Sequence, residues 1–224
     1  MKQKIIKSRN DLKDYSDRQV KRLADQGNVI AIFEYGMRLE NRNQYKRAFK
    51  YLYKLKDIDN FFIWERLITL ADFYCKGIIS DKEIFKLLKK RHKYGVSYYS
   101  YVLAGFYLKG KGCKKSIKKY IELLKLVAMD GSCSATIELA ENYEKGFGVK
   151  KSLKKAYELY YNYVDEHYRK DYWCAYKSAV YMLNRWGGAK KDMSNIEYHL
   201  RYASRVHKEA KELYVKLFNK EPSW

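Results

Sequence analysis

Gly105-Phe-Tyr-Leu-Lys-Gly-Lys-Gly112 is the stretch of this 224-residue chain that comes nearest to a phosphate-binding signature. A GxxxxGK loop followed by Ser or Thr cradles phosphates with its backbone N–H groups, and the hydroxyl holds magnesium. Here Gly112 stands where the hydroxyl is required, and the preceding residues read as a helix rather than a strand, so the loop is expected to be structural. The histidines, His92, His167, His199 and His207, are scattered, with no HExxH and no Cys/His pair at zinc spacing. Cys75, Cys113, Cys133 and Cys174 show no CxxC motif and are expected to remain packed thiols. The carboxylate pairs Asp11/Asp14 and Asp165/Glu166 sit in polar stretches, where solvated charge near helix ends explains them. The sequence therefore predicts no catalytic residue, no metal ligand and no cofactor, and the chain reads as a non-enzyme.

Any remaining function must come from a surface, and the elements that build that surface are legible as repeats. Leu103-Ala-Gly-Phe-Tyr-Leu-Lys-Gly-Lys-Gly112 recurs 36 residues later as Leu139-Ala-Glu-Asn-Tyr-Glu-Lys-Gly-Phe-Gly148. A weaker copy runs Leu70-Ala-Asp-Phe-Tyr-Cys-Lys-Gly77, and a degenerate one extends from Ala179 through Leu183 to Gly188. Self-similarity at this period predicts a helical solenoid. Ala31, Arg66, Tyr99, Ala135 and Ala175 fall at equivalent positions. Ala135, Leu139, Ala140 and Tyr143 make one stripe of a helix, the small residues admitting a neighbouring helix and the tyrosine filling the gap. A second helix follows each loop, with Leu153, Ala156, Leu159 and Tyr160 as its apolar stripe in one copy. Ser116, Ser152 and Asp192 stand at its N-cap in three copies. Gly110, Gly112, Gly146 and Gly148 are expected in left-handed conformations.

Composition supports this reading. Proline occurs once, at Pro222, and glycine 12 times, so few residues interrupt helices. Hydrophobic residues make up 47% of the chain, and no linker-like stretch divides it, which predicts a single domain. No apolar run approaches the roughly 20 residues that span a bilayer. The N-terminus has no secretory apolar core, and the expected location is the cytoplasm.

The net charge is +21, and its placement is patterned. Lys109, Lys111, Lys114, Lys115, Lys118 and Lys119 surround the start of one second helix. Lys145, Lys150, Lys151, Lys154 and Lys155 do so one repeat later, and Lys190 and Lys191 continue the series. A further cluster occupies residues 86–93. Equivalent positions in a solenoid align, so these lysines are expected to form a basic edge. Such an edge is open to four readings: a solvated face, a docking surface for an acidic protein, a contact for nucleic-acid phosphates with tyrosines stacking on bases, or a contact for an anionic membrane surface.

The residues Ala135, Leu139, Ala140, Tyr143, Gly146, Gly148, Val149, Lys151 and Ala156 resemble the Sel1-like repeat family, a relative of the tetratricopeptide repeat. Leu23-Ala-Asp-Gln-Gly-Asn28 is similar to the junction that closes one such repeat and opens the next. The first, second and fifth copies depart at the loop, where Arg42 and Gln44, Ile79 and Trp186 stand in place of the usual residues. Cys133 meets Lys125 where cysteine-rich members of the family carry a partner cysteine, so that disulfide-bonded branch is disfavoured.

The resemblance implies an all-α, right-handed α/α superhelix of about five helix-turn-helix repeats. These would cover residues 28–62, 63–96, 97–132, 133–171 and 172–208, between a front cap at 8–27 and a capping helix at 209–219. It also implies a non-catalytic scaffold or adaptor for a protein or peptide partner, the acidic target of an inhibitor or immunity protein being one variant and a nucleic-acid-binding solenoid the alternative. By analogy with tetratricopeptide repeats, first helices line a concave groove. Phe33, Ile68, Tyr101, Ile137 and Lys177 then point outward, with Asp72, Lys109, Glu141 and Tyr181 nearby, unless these side chains simply join the core.

Overall fold

The computed structural model describes residues 8–95, 98–166 and 171–223. Residues 1–7, His167 and the side chains of Asp165 and Glu166 lie outside the described set. Every regular element among the described residues is helical. The chain divides into two compact units, Met1–Lys115 and Ser116–Trp224.

In the first unit a 3-10 turn, Arg9–Leu12, precedes α1 (Asp17–Asp25), α2 (Val29–Asn41) and α3 (Tyr45–Leu52). Then follow α4 (Phe61–Thr69), prolonged by a π turn at Leu70–Tyr74, α5 (Asp81–His92) and α6 (Tyr98–Lys109). The second unit holds α7 (Ile117–Met129), α8 (Cys133–Lys145), α9 (Leu153–Glu166), α10 (Tyr172–Asn184), α11 (Met193–Ala203) and α12 (Lys208–Phe218). Within each unit consecutive helices pack side by side.

The helix boundaries follow from local chemistry. Ser16 and Ser80 open α1 and α5 with reciprocal capping boxes to Gln19 and Glu83. Ser116, Ser152 and Asp192 accept backbone N–H bonds at the starts of α7, α9 and α11, as their positions predict. The Leu23-to-Asn28 junction closes α1 with a 6→1 bond, Asn28 N–H donating to the Leu23 carbonyl at 3.1 Å, and the Asn28 side chain caps α2 at once. Ser132 repeats the device between α7 and α8, donating to Val127 and capping the next helix.

Small residues set how closely helices approach. Ala31, Ala48, Ala135, Ala140, Ala156 and Ala175 are fully buried, and around them Leu52, Leu67, Leu88, Leu124 and Leu200 leave no accessible surface. Each such leucine contributes about 1.5–3 kcal/mol by leaving water.

The repeat loops carry a tighter constraint. A Cβ on Gly112 would lie 2.2 Å from the Asp81 carbonyl oxygen, at the first residue of α5. Gly187, at φ +65°, sits in the same way against Leu153, the first residue of α9, where a Cβ would meet the carbonyl oxygen at 2.5 Å. The fifth loop reaches this contact despite Trp186 because Arg185 takes the left-handed conformation, at φ +55°, one residue earlier than the glycine.

The second copy of the motif differs from the others. Tyr107 and Tyr143 are buried, as the stripe predicts. The backbone after Leu70 widens and underwinds instead, with Cys75 N–H donating to the Leu70 carbonyl five residues back at 2.8 Å. Cys75 therefore enters the core at 2% exposure, while Tyr74 swings to the surface and stacks on Tyr45 with ring centroids 3.9 Å apart.

Replacing Gly187 by alanine is expected to destabilise the second unit by about 2–3 kcal/mol, because the left-handed conformation and a backbone clash add. A guanidinium denaturation midpoint equal to that of the unaltered protein would contradict this.

Candidate functional site

The segments that become α2 and α4, VIAIFEYGMRL and FFIWERLIT, are apolar on more than one face. A helix of that kind has more apolar surface than one core contact can cover. On α2, Ala31, Ile32, Tyr35 and Leu39 are buried. Val29, Phe33 and Met37, at steps of four, form a separate row along a cleft of about 810 Å³ in the first unit. Phe62, Arg66 and Thr69 of α4 line the facing wall, and Ile58 and Tyr99 of α6 complete it. Phe62 is 57% exposed.

The charges around the cleft are paired. Arg9 places its guanidinium 5.4 Å from the centre of the Phe33 ring and donates to Glu34 at 2.7 Å. Arg66 donates to Glu40 at 3.0 Å, and Arg91 to Glu65 at 2.7 Å. The hydroxyls of Thr69 and Tyr99 bond to each other at 2.9 Å. An apolar floor with a neutralised rim suits an apolar side chain more than an ion.

Arg38 holds the α2 wall in place. Its guanidinium donates to the Leu12 and Tyr15 carbonyls at 2.8 and 2.7 Å, and to Glu34 and Asp17 at 2.9 and 3.2 Å. Burial pushes the Glu34 carboxyl up, but hydrogen bonds from Arg38 and Arg9 outweigh it and hold the group below its ordinary value. Asp17 is held down in the same manner, burial being outweighed by Arg42 and Arg38.

No protein-family profile matches the chain, and no curated protein matches it. Among solved structures it is similar to a Sel1 repeat protein from Oxalobacter formigenes, at 21% identity with a TM-score of 0.63, over 83% of this chain and 75% of that one. It is also similar to a protective antigen of uropathogenic Escherichia coli with an SLR fold, at 16% identity and a TM-score of 0.70. That match takes in 91% of this chain but only 44% of the antigen.

The fold is that of the Sel1-like repeats. It is an α-solenoid class built of the helix pairs that the repeated motif predicts.

On this Sel1-like repeat fold the residues predicted to line a groove separate. Phe33 lines the cleft. Ile68 and Tyr181 are instead buried, at 2% and 1% exposure, and present no surface: they belong to the core stripes of α4 and α10. Lys177 also turns inward, bonding Glu144 at 2.8 Å while its ammonium lies 5.4 Å from the Tyr160 ring. Tyr181 donates to the same Glu144. Glu141 pairs with Lys145 at 3.1 Å, Tyr101 and Ile137 are half-buried, and Asp72 and Lys109 are exposed. Sequence reasoning passed over Val29, Met37 and Phe62, although the apolar character of α2 and α4 on more than one face was the available signal.

The predicted basic edge is exposed throughout: Lys111, Lys114 and Lys115 in the first unit, and Lys118, Lys119, Lys150, Lys151, Lys154, Lys155, Lys190 and Lys191 in the second. The first turns of α7 and α9 hold lysines and no acid. Positive charge at a helix N-terminus opposes the macrodipole and costs a few tenths of a kcal/mol per side chain, so these lysines are not there to stabilise their helices. Glu158 faces Lys154 at 4.0 Å and Asp192 follows Lys191 directly, so acids interrupt the series. Lys155 also borders a shallow cleft of about 540 Å³ with Met129, Tyr143 and Leu159.

The other chemistry-bearing residues lie in structural settings. Gly105 is inside α6, so a helix does precede the glycines. His92 bonds Ser100 at 2.9 Å and burial lowers its pKa. His199 is buried against Tyr161, and His207 packs edge-on to Trp173.

Arg38→Met is expected to cost about 2–3 kcal/mol, since it strips a guanidinium from two carbonyls and two carboxylates. Arg38→Lys should recover little of this, because an ammonium cannot match the fork. With Glu34 and Asp17 held below their unfolded values, their contribution is complete above those values and is lost as pH falls through the lower folded ones. Acid titration of the Arg38→Met variant should therefore show a smaller loss of stability below about pH 4 than the unaltered protein.

Proposed function

We propose that the protein is a non-catalytic, cytoplasmic interaction scaffold that holds an apolar segment of a partner protein in the cleft between α2 and α4. The observation that carries this reading is the second apolar row on α2, Val29, Phe33 and Met37, facing the exposed Phe62 across a cleft whose rim charges are already paired. Such a surface matches the recognition of side-chain anchors by a groove. Protein binding as the general role is supported by the Sel1-like repeat fold. The net charge of +21 supports an acidic partner, whose approach it would accelerate at low salt.

A photo-crosslinking amino acid at Met37, with one at the exposed Lys216 as control, tests the cleft. Partner adducts formed at position 37 and absent at 216 are the expected result. For the partner so identified, Phe62→Ala should weaken binding by about 10- to 100-fold without unfolding the exposed site. Adducts at both positions alike, or unchanged affinity in Phe62→Ala, would contradict the reading.

The lysines in the first turns of α7 and α9 support a second reading, a contact for the nucleic-acid backbone. Fluorescence anisotropy with a single-stranded RNA separates the two: affinity falling steeply with salt and reduced in Lys118→Ala/Lys154→Ala favours it, and no binding at about 0.05 M salt removes it.

A further inference from the structure

Two cysteines 41 positions apart in sequence meet in the second unit. The sulfurs of Cys133 and Cys174 and a carboxylate oxygen of Asp171 all lie within 4.8 Å of one another. The topology explains the meeting. Cys133 is the first residue of α8, Asp171 is the N-cap of α10, and Cys174 follows in the first turn of α10. Asp171 accepts the Cys174 N–H at 2.8 Å through Oδ1. Cys174 has no accessible surface, whereas Cys133 is half-buried.

The donor set is that of a soft divalent cation. Two thiolates and a carboxylate are ligands of zinc, and three protein ligands leave a fourth tetrahedral position for a water or a further group. Tetrahedral thiolates on zinc stand about 3.8 Å apart, given Zn–S bonds of about 2.3 Å, so the two sulfurs need to close by no more than about 1 Å. Both cysteines occupy the first turns of their helices.

The surroundings match this chemistry. Three groups that can become anionic lie within 4.8 Å of one another, and a bound cation relieves their mutual repulsion. The Tyr163 phenol hydrogen-bonds Cys133 in addition, in the place of an outer-shell group that orients a metal ligand.

We infer that Cys133, Cys174 and Asp171 form a binding site for a zinc-class divalent cation, which ties the N-terminus of α8 to that of α10. On binding, each thiol gives up its proton to solvent and its sulfur donates a pair to the metal, with no change of oxidation state.

The test is cobalt(II) titration of the full, chemically reduced chain, with zinc displacing the cobalt. A thiolate-to-cobalt charge-transfer band that saturates at one equivalent and is abolished by zinc is the expected result. Cys133→Ser should remove the band. Asp171→Asn should keep the helix cap, since asparagine caps as well as aspartate, yet weaken cobalt binding by about tenfold or more; Tyr163→Phe should weaken it by about tenfold. Circular dichroism of each variant shows whether the helices persist. No charge-transfer band in the reduced protein, a band that survives Cys133→Ser, or undiminished affinity in a folded Asp171→Asn would overturn the inference. So would a Cys133–Cys174 disulfide in the isolated protein whose reduced form takes up no cobalt.

Discussion

The stacking of these repeats depends on a loop backbone pressed against the first residue of the preceding second helix. Gly112 meets Asp81, and Gly187 meets Leu153, at separations no side chain tolerates. Gly148 approaches Ile117, also the first residue of its helix, in the same way, although there it meets a side chain. Hydrophobic burial supplies most of the stability but is indifferent to register within an angstrom or two. A backbone contact is not, and it fixes where each loop lands on the helix beneath it. Fixing that point also fixes which faces of the flanking helices are covered and which are left to solvent.

Much of the architecture was legible because the chain states each part of it more than once. The stripe of Ala135, Leu139, Ala140 and Tyr143, the caps Ser116, Ser152 and Asp192 and the left-handed glycines are each local features with a local physical cause. The groove was harder to read. Phe33 and Ile68 are both apolar residues two places beyond equivalent positions, yet one lines a cleft and the other is core. Sequence spacing gives the angle of a residue about its helix, not what stands opposite. Lys177 differs for a related reason: its repeat position pointed toward a groove, but Glu144 and three aromatic rings stand beside its ammonium. The meeting of Cys133 with Cys174 was invisible for want of any short spacing, since helices in adjacent pairs brought them together.

Tyrosine–carboxylate bonds join elements in both units, Tyr51 to Asp25 and Tyr53 to Glu83 in the first. In the first, arginines join helices as well: Arg38 ties the 3-10 turn and α1 to α2, and Arg66 and Arg91 reach carboxylates on other helices. In the second, tyrosine hydroxyls reach glutamates, Tyr120 to Glu138, Tyr181 to Glu144 and Tyr214 to Glu197. Each of these aromatics buries a large ring and still satisfies a polar tip. Tyrosine is thus a structural residue here, and its abundance says less about base stacking than the composition alone suggests.

The π turn at Leu70–Tyr74 separates two things that a repeat motif normally conveys together, identity and orientation. The letters of the motif are intact there, but one underwound turn reassigns them, so that a thiol takes the tyrosine's interior place and two aromatic rings, Phe73 and Tyr74, are presented outward. A backbone slip of this size changes surface chemistry without any substitution. Among repeats that look alike when aligned by sequence, diversity of surface can therefore arise from winding as readily as from mutation.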